Sequence, residues 1–161
     1  MPPAPMLQTR TLIDALADAD APVVIVGGMA AVLHGVDYVT ADLDLCYDPS
    51  DDGRRRVARA LSGLSPYPRG VDRGLPFVWD ARTLRDTPLL TLATDAVDIA
   101  LRPDVPGVGP YEAVAARSEP AVVFGRTLRV LSLDALVDAK RALGRPKDLM
   151  LLAHLDAIRG L

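Results

Sequence analysis

Hydrophobic residues near the start of the chain fall into short runs with different spacings. Over 6–18 they recur one helical turn apart, which predicts an α-helix. The unbroken run VVIV at 23–26 predicts a buried strand, and Gly35 is placed to end a short helix that follows it. Ser50, Asp51 and Asp52 are candidate N-caps for a further helix, which is expected to run to about Leu61. The start of the chain therefore alternates helix and strand.

The middle of the chain alternates irregular and strand-like segments. Two stretches rich in proline and glycine, 65–76 and 102–110, predict loops, and we expect the first loop to lie near the functional site. Apolar residues in PFVWD, 76–80, and in the segments 89–93 and 97–101 predict three strands. These strands would extend a central sheet.

The last third of the chain predicts a hairpin and three helices. A short helix is expected over 110–117, and a hairpin over 121–131 with its turn around Gly125-Arg126. Ser132 caps a helix that Gly144 ends, and Pro146 begins the last helix. The predicted buried face of that last helix consists of Leu149, Leu152, Ala153 and Leu155. The pattern as a whole predicts one mixed α/β (α+β) domain over 1–161.

Two aspartates stand one residue apart in the segment DLDLCY. On a strand, alternate side chains project to the same face, so Asp42 and Asp44 should point together while Leu43 points to the opposite face. Mg²⁺ prefers oxygen ligands of this kind and commonly binds one or two carboxylates together with substrate phosphates. The pair therefore predicts a magnesium site.

A glycine pair stands between the first predicted strand and a short helix. Gly27 and Gly28 permit a tight turn and let a phosphate approach the backbone without meeting a Cβ atom. Free N–H groups at the start of the predicted helix Met29–His34 favour an anion there. A nucleoside triphosphate with magnesium fits both features, although either feature alone also suits an ordinary turn or strand end.

In these motifs the chain resembles the nucleotidyltransferase superfamily, whose signature is Gly-Gly or Gly-Ser after a strand followed by Asp-x-Asp. Here thirteen residues separate Gly27-Gly28 from Asp42-Leu43-Asp44. The closest likeness is to small bacterial nucleotidyltransferase-like proteins related to AbiEii-type toxin–antitoxin nucleotidyltransferases, whose C-terminal signature resembles Lys140 and GRPKDL at 144–149. The resemblance implies a small mixed central sheet flanked by helices.

The resemblance also implies a third carboxylate on a neighbouring strand, since two metal ions need more ligands than Asp42 and Asp44 provide. Asp98 is the candidate, although the family's aspartate could instead correspond to Ala100, in which case a ligand is displaced or lost. With all three carboxylates, the implied reaction transfers a nucleoside monophosphate from a triphosphate such as ATP to an acceptor. One or two Mg²⁺ ions would assist, with Asp98 as shared ligand or base.

Other residues are assigned to substrate binding. The chain has only two lysines, Lys140 and Lys147, and both lie near the C-terminal signature. With Arg145 they could clamp the triphosphate, although a solvated helix end is the simpler interpretation. Thr40 could orient Asp42 or the acceptor. Asp148 is expected to favour the start of the last helix by its charge.

Composition narrows the choice of partners and compartment. A net charge of −3 argues against a broadly basic nucleic-acid-binding surface, and 4% aromatic residues leave few platforms for stacking bases. A single cysteine excludes an internal disulfide pair, and no apolar run approaches the ~18 residues of a membrane span. We therefore expect a cytoplasmic protein with no membrane partner.

Two functions remain open at this point. The first is a magnesium-dependent nucleotidyltransferase, with RNA (by resemblance, a tRNA end) or protein as acceptor and a cognate antitoxin as partner. The second is a catalytically silent nucleotide-binding or protein-interaction module on the same fold, which is favoured by Ala100 and by the lack of an acceptor-binding domain.

Overall fold

The computed structural model describes residues 4–38, 40 and 42–160. Residues 1–3 and 161, the ends of the predicted single domain, lie outside this range. The described helices are α1 Ala4–Asp18, α2 Gly27–Leu33, α3 Asp51–Leu61, α4 Ala81–Asp86, α5 Tyr111–Ala116, α6 Leu133–Leu143 and α7 Pro146–Arg159, with a 3₁₀ turn at Ser62–Leu64. None of these helices is both long and apolar enough to cross a membrane.

The described strands are β1 Val23–Val26, β2 Asp42–Tyr47, β3 Tyr67–Pro68, β4 Leu90–Ala93, β5 Asp98–Arg102, β6 Asp104–Val105, β7 Gly109–Pro110, β8 Ser118–Val123 and β9 Arg126–Leu131. Strands β6 and β7 pair with each other, and the other seven form one mixed sheet in the order β3-β4-β5-β2-β1-β9-β8. Two pairs are parallel, β1 with β9 and β2 with β5, and the remaining neighbours are antiparallel. The predicted mixed α/β class, with helices flanking a mixed central sheet, is confirmed.

Strand β1 is buried because its sequence is entirely apolar, and β2 is buried through its apolar residues. All four residues of β1 are buried, as are Leu43 and Leu45 on β2. Helix α1 contributes Leu12, Ile13 and Leu16 to the same core, as the helical spacing predicts. The core therefore holds β1 and β2 in a fixed relation, which matters because the candidate site lies where these two strands meet.

Local capping places several helices where the sequence predicts them. Ser50 accepts a hydrogen bond from the backbone N–H of Gly53 (3.0 Å), and Ser132 accepts one from Ala135 (3.3 Å). Gly144 ends α6 in the left-handed conformation at φ +61°. The predicted starts of α3 and α6 and the predicted end of α6 are confirmed.

The predicted strand at 76–80 is wrong. Asp80 instead caps α4, because its carboxylate accepts hydrogen bonds from the backbone N–H groups of Arg82 and Thr83. Trp79 is held outside the sheet by its indole N–H, which donates to the Ala58 carbonyl over 2.9 Å. Trp79 therefore packs against α3 while Val78 is 75% exposed, so the apolar residues of this segment do not form a strand of the sheet.

The two predicted loops contain short regular pieces. Tyr67 and Pro68 pair with Ala93 and Leu92 as an edge strand, and 102–110 includes a small hairpin of β6 Asp104–Val105 and β7 Gly109–Pro110. Pro110 is the N-cap of α5 rather than its first residue.

Two other details also differ from prediction. The β8–β9 turn is formed by Phe124 and Gly125, both at positive φ, one residue earlier than predicted. The predicted buried face of α7 is wrong in part, because Leu149 is 53% exposed and Leu151 is buried in its place. Ala153 is also exposed, whereas Leu155 is buried as predicted.

Candidate active site

Two neighbouring strands bring the predicted carboxylates together. Strands β2 and β5 run parallel, and their register places Asp42 opposite Asp98 and Asp44 opposite Ala100. We refer to Asp42, Asp44 and Asp98 as the acidic cluster. The position beside Asp44 is therefore occupied by a methyl group, while the carboxylate of β5 lies two residues earlier on that strand, beside Asp42.

The first loop contributes a residue that the sequence analysis missed. The Arg69 guanidinium lies between two members of the acidic cluster, with Nη1 3.0 Å from Asp42 Oδ2 and Nε 3.4 Å from Asp98 Oδ2. The loop lies near the site as predicted, but nothing in its sequence distinguishes Arg69 from its other residues. In this arrangement, the described residues contain no group of three histidine, cysteine or acidic side chains placed to hold a metal ion.

One oxygen of the acidic cluster is left without a partner. Asp42 Oδ1 is buried and makes no hydrogen bond with any residue that the structure describes, although Asp42 Oδ2 pairs with Arg69. Unpaired buried carboxylate oxygens are costly and are rare in proteins. A divalent ion that takes hard oxygen ligands would satisfy such an atom, so the chemistry of the acidic cluster fits Mg²⁺.

The glycine pair is explained by the groups packed against it. Gly27 has φ +65°, and a Cβ atom at this position would overlap the Asp44 carboxylate. A Cβ atom at Gly28 would lie 2.8 Å from Tyr38 and 3.1 Å from Thr40. Helix α2 begins at Gly27, two residues earlier than predicted, so the glycine pair forms its first turn and lies directly beside Asp44.

Thr40 lies in the same cleft but does not hold the Asp42 carboxylate. Its hydroxyl donates to the Asp42 backbone carbonyl over 2.9 Å. Thr40 therefore fixes the main chain where β2 begins.

Opposite the acidic cluster lie Lys140, Arg145 and Lys147, which we call the basic cluster. Arg145 Nε lies 2.6 Å from Asp148 Oδ2, and Lys140 Nζ lies 3.4 Å from Asp148 Oδ1. Asp148 is only 1% exposed and also accepts a hydrogen bond from the Arg145 backbone N–H over 3.2 Å. Two of the three predicted phosphate ligands are thus already paired with a carboxylate, which the phosphate assignment did not anticipate.

The predicted role of Asp148 at the start of α7 is confirmed. Its carboxylate caps the first turn of the helix, and the Arg145 hydrogen bond, assisted by Lys140, holds its pKa below the usual range. Asp148 is therefore charged at neutral pH and fixes two cations at the edge of the cleft.

Asp42 and Asp44 of the acidic cluster face the basic cluster across one polar cleft. Its lining includes Gly28, Thr40, Asp42, Asp44, Lys140, Arg145 and Lys147, so seven of the nine predicted site residues meet there. Of the other two, Gly27 lines an adjoining pocket, and Asp98 lies beside Asp42 on the next strand. The adjoining pocket shares Asp44 with the cleft and has largely apolar walls, formed by Val26, Ala100, Val105, Leu131 and Leu136.

Asp44 lies at the junction of the two spaces, and its environment disfavours charge. Burial raises the pKa of the Asp44 carboxyl, and Asp42 adds to this rise, while Lys140 acts in the opposite direction. A cation bound beside Asp44 would favour its charged form.

Other titratable residues have structural surroundings. His34 Nε2 lies 2.8 Å from the Leu131 carbonyl at the end of α2, as expected for a structural histidine. Cys46 is fully buried, and burial raises the pKa of its thiol to about 12. These residues therefore give no additional candidates for the chemistry of the cleft.

Comparison with known proteins identifies the fold of the chain. No protein-family model and no curated protein matches the chain. The chain is similar to a crystal structure of TM1012 from Thermotoga maritima, provisionally described as a nucleotidyltransferase, with TM-score 0.57 and 18% identity over 90% of this chain and 88% of that one.

Two structures of the antibiotic-resistance factor ANT(2'')-Ia are also similar. The solution structure aligns with TM-score 0.58 and 14% identity, covering 96% of this chain and 89% of that one. The crystal structure in complex with adenylyl-2''-tobramycin aligns with TM-score 0.60 and 14% identity, covering 96% and 94%. The chain therefore has the fold found in nucleotidyltransferases.

Proposed function

We propose that the chain transfers a nucleoside monophosphate from a nucleoside triphosphate to an acceptor with the help of divalent metal ions. The observation that carries the proposal is the unpartnered, buried Asp42 Oδ1 in a cleft where the acidic cluster faces the basic cluster. The fold and the Gly27 turn against Asp44 support it.

In this proposal Asp42 and Asp44 would hold one or two Mg²⁺ ions, with Asp98 as a shared ligand or as the base. When bound, Mg²⁺ would neutralise charge on the triphosphate and lower the pKa of the acceptor hydroxyl. The backbone at Gly27 and Gly28 and the exposed Lys147 ammonium contact phosphate oxygens. Lys140 and Arg145 remain paired with Asp148 and contribute positive potential at the edge of the cleft.

The reaction requires no covalent enzyme intermediate. The acceptor oxygen attacks the α-phosphorus, the bond from that phosphorus to the bridging oxygen breaks, and pyrophosphate leaves. The acceptor proton passes to the Asp98 carboxylate. The apolar pocket beside Asp44 receives the part of the acceptor next to the reacting hydroxyl, so that this hydroxyl faces the polar cleft.

A labelling assay with matched variants tests the proposal. The protein is incubated with α-labelled triphosphates, Mg²⁺ and candidate acceptors including cell extract, and compared with Asp42→Asn and Asp44→Asn. We expect labelled product from the wild type and a loss of about 100-fold or more in each variant. Asp95→Asn, which changes an exposed aspartate in the β4–β5 turn, should retain activity. Equal labelling by all four proteins would exclude the assignment.

The acceptor and biological role are a finer proposal that rests on the resemblance to AbiEii-type proteins. The chain would act as the toxin of a toxin–antitoxin pair and modify RNA, such as a tRNA end, or a protein. Induced expression in a bacterial host should arrest growth with the wild type and not with Asp44→Asn. Growth arrest by both proteins would indicate toxicity unrelated to nucleotidyl transfer.

A second candidate function is a nucleotide-binding or protein-interaction module without turnover. Arg69 between Asp42 and Asp98, and Ala100 beside Asp44, favour it. Calorimetry with ATP, with and without Mg²⁺, separates the two functions when pyrophosphate is measured in the same samples. Binding without pyrophosphate release in any acceptor mixture would favour the module.

A further inference from the structure

The Arg69 guanidinium occupies the space between two carboxylates that face each other across a parallel ladder. It pairs with Oδ2 of Asp42 and with Oδ2 of Asp98 at 3.0 and 3.4 Å. Carboxylates on adjacent strands repel each other, and one positive charge between them relieves that repulsion. A divalent ion held by these carboxylates would compete with the guanidinium for them.

The main chain of Arg69 is anchored while its side chain is comparatively free. The Arg69 backbone N–H donates to the Thr91 carbonyl over 3.0 Å, directly after the β3–β4 pairing. The side chain is 48% exposed, and the carboxylates of Asp42 and Asp98 are 35% and 37% exposed. Ion pairs with this exposure are weak, so a competing ion can displace the guanidinium without moving the backbone.

Arg69 also satisfies the acidic cluster incompletely. It pairs with Asp42 Oδ2 and leaves Oδ1 of the same carboxylate buried without a partner. An ion with several ligand positions can reach oxygens that a planar guanidinium does not contact. The metal-free arrangement therefore leaves negative charge in excess and one carboxylate oxygen uncoordinated.

We propose that Arg69 is an internal counter-ion that competes with free divalent metal and favours metal delivered with the triphosphate. If a free metal ion displaces the guanidinium, the positive charge of Arg69 stays nearby and repels that ion. If a metal–triphosphate complex displaces the guanidinium, the same charge faces phosphate oxygens and attracts them. Arg69 thus selects the metal–nucleotide complex over the free ion. This inference rests on the proposed metal site.

The experiment measures binding without turnover. Mn²⁺ alone, and Mn²⁺ with the non-hydrolysable α,β-methylene analogue of ATP, are titrated into wild type and Arg69→Gln, with free Mn²⁺ followed by electron paramagnetic resonance. We expect Arg69→Gln to bind Mn²⁺ alone about tenfold more tightly, because two weak ion pairs no longer compete. Its preference for the Mn²⁺–analogue complex should shrink.

Two further variants make the result specific. Arg73→Gln removes a charge from the same loop, where that guanidinium lies over the Tyr67 ring at 5.4 Å, and should leave Mn²⁺ affinity unchanged. Arg69→Lys keeps the charge but cannot contact both carboxylates in the same way, so its affinity should fall between the two extremes. Thermal unfolding should show that Arg69→Gln is less stable without metal and regains stability with Mn²⁺.

The outcomes separate the two proposals. Equal Mn²⁺ affinity in wild type and Arg69→Gln would overturn the role of Arg69 and leave the metal site intact. No Mn²⁺ binding to either protein would overturn the metal site and this inference together. An equal gain in Mn²⁺ affinity in Arg73→Gln would mean that the total charge of the loop causes the effect. That result would also overturn the role of Arg69.

Discussion

The two sides of the cleft both pair carboxylates with cations, but they are built differently. On the basic side Asp148 is 1% exposed and all of its contacts are internal, with Lys140, Arg145 and the backbone of α7. On the acidic side Asp42 is 35% exposed, pairs with a half-exposed arginine and keeps one oxygen unpaired. The difference suggests that the basic side stabilises the fold and the acidic side is arranged to receive a ligand.

The strongest way to break this comparison is to neutralise Asp148. Asp148→Asn should lower the free energy of unfolding by about 2–3 kcal/mol, since a buried charged acceptor loses its cationic partners' attraction. Chemical denaturation at neutral pH measures the change. Asp138→Asn is the matched control, because Asp138 lies on the neighbouring helix α6 and its removal breaks only a half-exposed ion pair with Arg117, which should cost at most about 1 kcal/mol. Similar losses in both variants would contradict the structural role of Asp148.

The next test acts on the acidic side through the backbone. Gly27→Ala places a Cβ atom against the Asp44 carboxylate at a residue with φ +65°, and we expect a stability loss of about 1–3 kcal/mol together with loss of nucleotidyl transfer. Gly28→Ala is the comparison, because its new methyl group would meet Tyr38, whose exposed ring can move. If Gly28→Ala were the more damaging substitution, the contact between Gly27 and Asp44 would not be the critical one.

A smaller effect of opposite sign is expected at Asp44. Burial raises the pKa of this carboxyl, so its charged form destabilises the fold at neutral pH. Without divalent metal, Asp44→Asn should therefore increase the free energy of unfolding by about 0.5–1 kcal/mol while abolishing transfer. A stability decrease equal to that of Asp148→Asn would make the two sides of the cleft alike and contradict the comparison.

The pH dependence of stability should distinguish the two carboxyls as well. Asp148 has a lowered pKa in the fold, so its stabilisation is present above the unfolded pKa near 3.9 and is lost as pH falls through the folded pKa. The gap between wild type and Asp148→Asn should thus narrow in acid. For Asp44 the effect on stability has the opposite sign. Its folded pKa is raised, so protonation in acid removes the destabilisation caused by its buried charge. Denaturation curves measured from pH 7 to pH 3 test this prediction. A stability difference between wild type and Asp148→Asn that widens in acid would contradict it.

The parts of the fold that could be predicted are those in which local chemistry and tertiary packing agree. VVIV is apolar throughout and forms the buried strand β1, while Ser132 and Gly144 bound α6 as their side-chain and backbone preferences predict. The absence of a strand at 76–80 was not predictable in this way, because Asp80 serves as a helix cap and Trp79 packs on a helix.

The candidate site follows the same rule. Asp42 and Asp44 could be predicted from strand alternation within one segment. The position of Asp98 depends on the parallel register with β2, and Arg69 reaches both from an edge strand distant in sequence. The rotation of α7 was also not predictable, because burial of Asp148 directs Leu151 rather than Leu149 into the core.

The most direct test of nucleotidyl transfer uses one triphosphate labelled at two positions. Label at the α-phosphorus should appear in the acceptor, and label at the γ-phosphorus should appear only in pyrophosphate, with both signals lost in Asp44→Asn. Transfer of γ-label to the acceptor, or release of label unaffected by Asp44→Asn, would contradict the assignment of the acidic cluster to nucleotidyl transfer.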